Sequence, residues 1–249
     1  YSLKKPTFAI KSNVILYKKV AEKFIFRTSK RFNNRWPLYL HINCTPQQKD
    51  ILNYKDNFRK PKFGKSNKTI KNLKLAGINY SIGDSIQWED TFKDSEDFES
   101  LHRWNWLLTI LTDVNDADTV TCWGLCQVYD WIENYIDDKV NSFVWGTYTT
   151  SERICNLLIF LEKTGLECDQ YFKYPLHVMA SHVLDNLEYY GEKDTFNHII
   201  NNARALYFAG QYLRVEKYSN AARKILQNEL HKLITNDGFL REGSSHYQF

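Results

Sequence analysis

Residues 97–249 predict an all-α body of antiparallel helical hairpins, on three observations: apolar spacing, glycine punctuation and short connections. Leu125, Val128, Tyr129, Ile132 and Ile136 keep the spacing of one buried helix face. Leu176, Met179, Ala180, Val183, Leu184 and Leu187 do the same, and Ala222, Ile225, Leu226, Leu230 and Leu233 repeat it. Gly165, Gly191 and Gly238 stand just past periodic segments, where a left-handed C-terminal residue is favoured. Short connections oblige consecutive helices to run antiparallel. Helical pattern alone leaves a straight bundle, a solenoid and a closed toroid open.

Taken in order, residues 1–96 read as a basic lead-in that packs on the helical body. It holds an amphipathic stretch over 13–26, a turn-rich basic linker over 53–72 and short extended pieces over 78–86. The periodicity then predicts helices over 98–113, 119–138, 150–164, 172–190, 196–213 and 218–235. Thr149 with Glu152 has capping-box spacing for the third, and Asp194 or Thr195 is placed to cap the fifth.

With 249 residues and 43% hydrophobic content, the chain can bury one sizeable core. Its 15% aromatic residues supply flat faces that suit sugar rings as well as cores. Charge is divided: residues 1–75 carry 19 Lys/Arg against 3 Asp/Glu, and the remainder 14 against 26. The block from Lys55 to Lys74 has the sign to attract an acidic partner. Five cysteines without paired spacing indicate neither a disulfide framework nor a zinc site, and Cys122 and Cys126 read as buried fillers. No apolar run is long enough to span a bilayer. No cofactor or metal is called for, and neither a membrane nor a nucleic acid is an expected partner.

Antiparallel helices gather one polar and aromatic rim. It collects His102 and Arg103, then Tyr148 and Arg153, then Asn197 and His198, and finally Glu242, His246 and Tyr247. At ~1.5 Å per residue the fifth helix climbs roughly 25 Å and the sixth descends as far, which returns Tyr247 toward Asn197. Such a rim suits β-elimination of a uronic-acid polymer. The C5 proton is weakly acidic until donors neutralise the adjacent carboxylate and stabilise an enolate-like intermediate. Asn197 and His198 at a helix N-terminus are placed for that. Tyr247 is the natural base and acid, and Arg103 and Arg153 can orient the substrate carboxylate. An inverting glycoside hydrolase would instead need two carboxylates ~6.5–9.5 Å apart; Glu152 and Glu242 are the candidates. A silent polyanion-binding module, led by the basic front, is the remaining alternative.

Three stretches carry a resemblance. The first runs from Asn197-His198 through Glu229-Leu230 to Asp237-Gly238 and Glu242-Gly-Ser244-Ser-His-Tyr247. The others are Tyr148-Thr-Thr-Ser151-Glu-Arg153-Ile-Cys-Asn156 and Leu101-His102-Arg103-Trp104. Together they resemble the heparinase II/III-like polysaccharide lyases, over about residues 88–249. The resemblance implies an incomplete (α/α) toroid followed by an antiparallel β-sandwich, with the cleft between them. It implies Asn197 and His198 as carboxylate-neutralising residues and Tyr247 as the catalytic tyrosine. Arg153, Tyr148, Arg103, His102, Glu242 and His246 are expected to contact substrate. Known members cleave heparan sulfate, alginate and related uronate polymers, and a periplasmic or secreted location is implied by the family alone. Because the chain stops at Phe249, the sandwich is expected beyond it and the toroid is expected to be truncated at its C-terminus.

Overall fold

The computed structural model describes residues 36–40, 70–83, 85–113, 117–137, 143–166, 169–192, 195–238 and 241. The fold is all-α, seven α-helices among the described residues with one two-stranded ribbon. After a 3-10 turn at Leu38–Leu40, strand β1 (Asn72–Lys74) pairs antiparallel with β2 (Asn79–Ser81), placing buried Leu73 opposite buried Tyr80. The helices are α1 (Ser95–Arg103), α2 (Trp106–Asp113), α3 (Ala117–Tyr135), α4 (Thr147–Thr164), α5 (Asp169–Asp185), α6 (His198–Leu213) and α7 (Glu216–Leu233). Helix α4 packs against α1, α2, α5 and α6, and α6 and α7 form the closest hairpin. These hairpins are the antiparallel units of an incomplete (α/α) toroid.

Four predicted features change. The single helix expected over 98–113 is broken at Trp104, which adopts a left-handed φ of 61°. The carbonyls that would continue α1 are taken by side chains: Leu101 O accepts from Trp106 Nε1 (2.9 Å), His102 O from Arg153 Nε (2.6 Å) and Arg103 O from Asn156 Nδ2 (2.9 Å). A helix whose last carbonyls are capped this way has no need of another turn. The helix expected to reach residue 190 stops at Asp185, because the next segment spends its polar groups on α6: Glu188 N–H donates to Asn202 Oδ1 at 3.0 Å. The Thr149–Glu152 capping box is not made. Helix α4 begins three residues earlier, on Gly146; Thr149 Oγ1 donates to Glu99 at 3.2 Å, and Glu152 pairs with Arg204. Thr195 likewise closes its own turn, accepting from Tyr190 N–H and donating to Gly191 O, rather than capping α6; Asp194 lies outside the described residues.

The glycine stop at Gly165 is as expected, with φ 64° and its N–H donating to Glu162 O. The ribbon and the segment after it join the core through Leu73, Leu75, Ile82, Ile86 and Trp88, and Gly77 N–H donates to the buried Asp97 carboxylate of α1 at 2.7 Å. Of the lead-in expectations, the 13–26 stretch and most of the 53–72 linker lie outside the described residues; Lys71 and Lys74 are exposed. Cys122 and Cys126 are half-buried rather than the fully buried fillers expected. No helix among the described residues is long and apolar enough to cross a membrane.

The α6–α7 hairpin rests on Gly210. A Cβ there would stand 2.3 Å from Ser219 Oγ and 2.7 Å from the Ser219 backbone nitrogen. Because the backbone cannot step aside cheaply, Gly210→Ala is expected to cost about 1–3 kcal/mol by overpacking. Chemical denaturation reads this directly, and an unchanged midpoint would mean that the two helices are free to separate.

Candidate active site

The Tyr-x-x-Ser-x-Arg-x-x-Asn stretch of α4 lies mostly in the interior. Ser151 and Arg153 are fully buried and Asn156 nearly so. Arg153 lies with its guanidinium 4.0 Å from the Trp131 ring centre and 5.5 Å and 5.8 Å from those of Trp104 and Trp145. Its Nε donates to His102 O and its Nη2 to Val144 O (2.5 Å). Burial pulls its pKa down, and the aromatic faces and carbonyl dipoles are what the interior offers in exchange for water. Arg153 was expected to orient a substrate carboxylate; burial places it behind the rim, as a clamp on the end of α1.

His102 is displaced from the rim for the same reason. Its Nδ1 accepts from Trp131 Nε1 at 2.9 Å, so the neutral ring carries its proton on Nε2, which donates to Trp88 O at 3.2 Å. Desolvation, with the Arg153 charge behind it, pushes its pKa from 6.5 down to about 3. Between those two values the unfolded chain binds a proton that the folded chain refuses. Stability is therefore fully present above pH 6.5 and falls as pH drops through the window, with a slope approaching ~1.4 kcal/mol per pH unit. Denaturation midpoints measured across that window should show this slope, and His102→Gln should remove it.

The rim itself is a stack. Arg103, at the end of α1, holds its guanidinium 5.0 Å from the centre of the Tyr148 ring, and the Tyr148 ring packs 4.6 Å from the imidazole of His198. Arg103 is also paired with Glu96 and with Glu99 (2.8 Å), which raise its pKa against the opposing pull of burial and hold it charged. Asn197 and His198 open α6; Asn197 makes no side-chain cap bond, and the His198 side chain is 46% exposed. Three residues singled out from sequence, on three helices, thus meet around Tyr148, with Asn197 beside them. Glu242, His246 and Tyr247 lie outside the described residues, and with Glu242 goes the spacing that a hydrolase reading needs.

Sequence reasoning passed over two residues that brace the rim. Glu188 Oε1 meets His198 Nδ1 at 3.1 Å, and its Oε2 accepts from Asn202 Nδ2 at 3.0 Å. Asn202 is fully buried and donates also to Ser151 Oγ at 3.2 Å. Both fall inside the spans expected to be helical, 172–190 and 196–213. Their only signal was an acid and an amide within an otherwise apolar pattern. Helix α4 therefore braces both sides of the stack, Arg103 through Asn156 and His198 through Ser151, Asn202 and Glu188.

Comparison with known proteins gives two similarities. A family model described as "Heparinase II/III N-terminus" matches residues 30–249. A heparin-sulfate lyase of Bacteroides thetaiotaomicron is 28% identical over an alignment 176 residues long that covers 65% of this chain. The matched region spans 25% of that relative's length. No solved structure matches at a significant level.

Proposed function

The chain belongs to the heparinase II/III N-terminal family, and from that premise we propose that it supplies the toroid side of a lyase site that cleaves a uronate-containing acidic polysaccharide by β-elimination. The observation that carries the proposal is the Arg103–Tyr148–His198 stack beside Asn197, a cationic and hydrogen-bonding rim with an accessible imidazole.

Asn197 and His198 would bond the C6 carboxylate, so that charge arriving there on loss of the C5 proton is met by donors already in place. The start of α6 adds the positive end of its dipole. Tyr247 would take the C5 proton; the electron pair forms the C4–C5 double bond, the C4–oxygen bond breaks, and the tyrosine returns its proton to the departing oxygen. Tyr148, stacked against Arg103 and His198, offers its phenol to the adjoining sugar. A β-sandwich following the toroid would close the cleft.

The test is a panel of uronate polymers offered to the full-length protein, with the ultraviolet absorbance of the unsaturated uronate product as readout. At least one polymer should yield it. Salt-sensitive binding of the panel without product would favour a polyanion-binding module instead.

A further inference from the structure

We propose that Glu188 is the positioning residue of His198: it keeps the proton on Nδ1 and leaves Nε2 as the nitrogen that meets the sugar. The inference rests on the lyase reading for its function, but its geometry stands independently. A carboxylate can only accept, so the 3.1 Å contact between Glu188 Oε1 and His198 Nδ1 places a hydrogen on Nδ1.

The carboxylate is held for this purpose. Asn202, on the turn of α6 above His198, accepts from Glu188 N–H through Oδ1 and donates to Glu188 Oε2 through Nδ2, both at 3.0 Å. Its second amide hydrogen goes to Ser151 Oγ on α4. The buried amide is thereby fully used, and the Glu188 side chain, 14% exposed, is anchored at both its backbone and its carboxylate. Tyr148 packs against the ring of His198. A ring with one nitrogen tethered and its plane packed presents the other nitrogen in a set direction, the arrangement by which a carboxylate orients a functional histidine.

This bears on the chemistry available at Nε2. When the ring is neutral, Nε2 carries a lone pair and accepts from a sugar hydroxyl or a proton. When the ring is an imidazolium, Nε2 donates to the uronate while Glu188 balances its charge. In the opposite neutral tautomer Nε2 would always donate, so Glu188 removes that third option.

Long-range proton–nitrogen correlation spectra of the full-length protein, with labelled histidine and at a pH where the ring is neutral, test the proposal. The His198 signals are assigned by their loss in His198→Gln. A protonated Nδ1 and an unprotonated Nε2 are expected, and Glu188→Gln, which keeps the size of the side chain and so spares the fold, should abolish the preference. The same variant should lose about 10- to 100-fold in kcat/KM, while its unfolding midpoint moves little. An Nε2-protonated ring in the wild type, or a Glu188→Gln protein with unaltered spectra or unaltered turnover, would overturn the assignment. If the spectra behave as stated and the wild-type protein releases no unsaturated uronate, the pairing stands and the lyase reading is what fails.

Discussion

Replacing Arg153 by lysine is expected to destabilise the fold by about 2–5 kcal/mol, although the charge is kept. The guanidinium serves two carbonyls at once, His102 O at the end of α1 through Nε and Val144 O before α4 through Nη2, two donors fixed in one plane. A lysine ammonium is a point donor and cannot reach both, and a buried carbonyl left without a donor costs ~1–3 kcal/mol. The face of the guanidinium against Trp131 is lost as well. Methionine, which matches the stem and removes the charge, should spare the desolvation cost yet leave both carbonyls unpaired. Chemical denaturation of the two variants separates these effects, and a lysine variant as stable as the wild type would contradict the clamp. Because the clamped His102 carbonyl lies at the end of α1, a loosened clamp should also blur the position of Arg103 at the rim.

His198→Ala is expected to cost no more than ~1 kcal/mol of stability, the scale of one partly exposed pair, and to reduce kcat/KM by roughly 10²–10³ if the ring meets the developing charge on the uronate. The separation follows from where the residue sits: its side chain is 46% exposed, so truncation opens no cavity. Steady-state rates of the full-length enzyme, measured beside an unfolding curve, read both numbers from one preparation. A variant as active as the wild type would remove His198 from the site.

Much of the helical body was legible because burial in a helix leaves a periodic trace. Helices α3, α4, α6 and α7 begin and end within about three residues of the spans expected from periodicity and glycine stops. The break at Trp104 left no such trace, since Leu101, Trp104 and Leu107 keep the apolar rhythm of one helix straight through it. What ends α1 is Trp106 just past the break together with Arg153 and Asn156 from α4, and the two tertiary hydrogen bonds have no local signature.

The rim followed the same rule. Helix direction brought Arg103, Tyr148 and His198 together in the expected way. Burial could not be read for His102 and Arg153, because polar residues beside a rim look alike whether they face solvent or a tryptophan cage. Glu188 was hidden by the opposite error, an apolar pattern that runs past the true end of α5 at Asp185.

The most direct test of the central claim is mass analysis of the cleaved polymer after digestion by the full-length enzyme in heavy-oxygen water. Elimination predicts fragments that carry one unsaturated uronate end, lighter by one water than a hydrolytic end and free of heavy oxygen at the new termini. Saturated termini that incorporate the heavy oxygen would show that water, rather than proton abstraction at C5, breaks the chain, and would contradict the account.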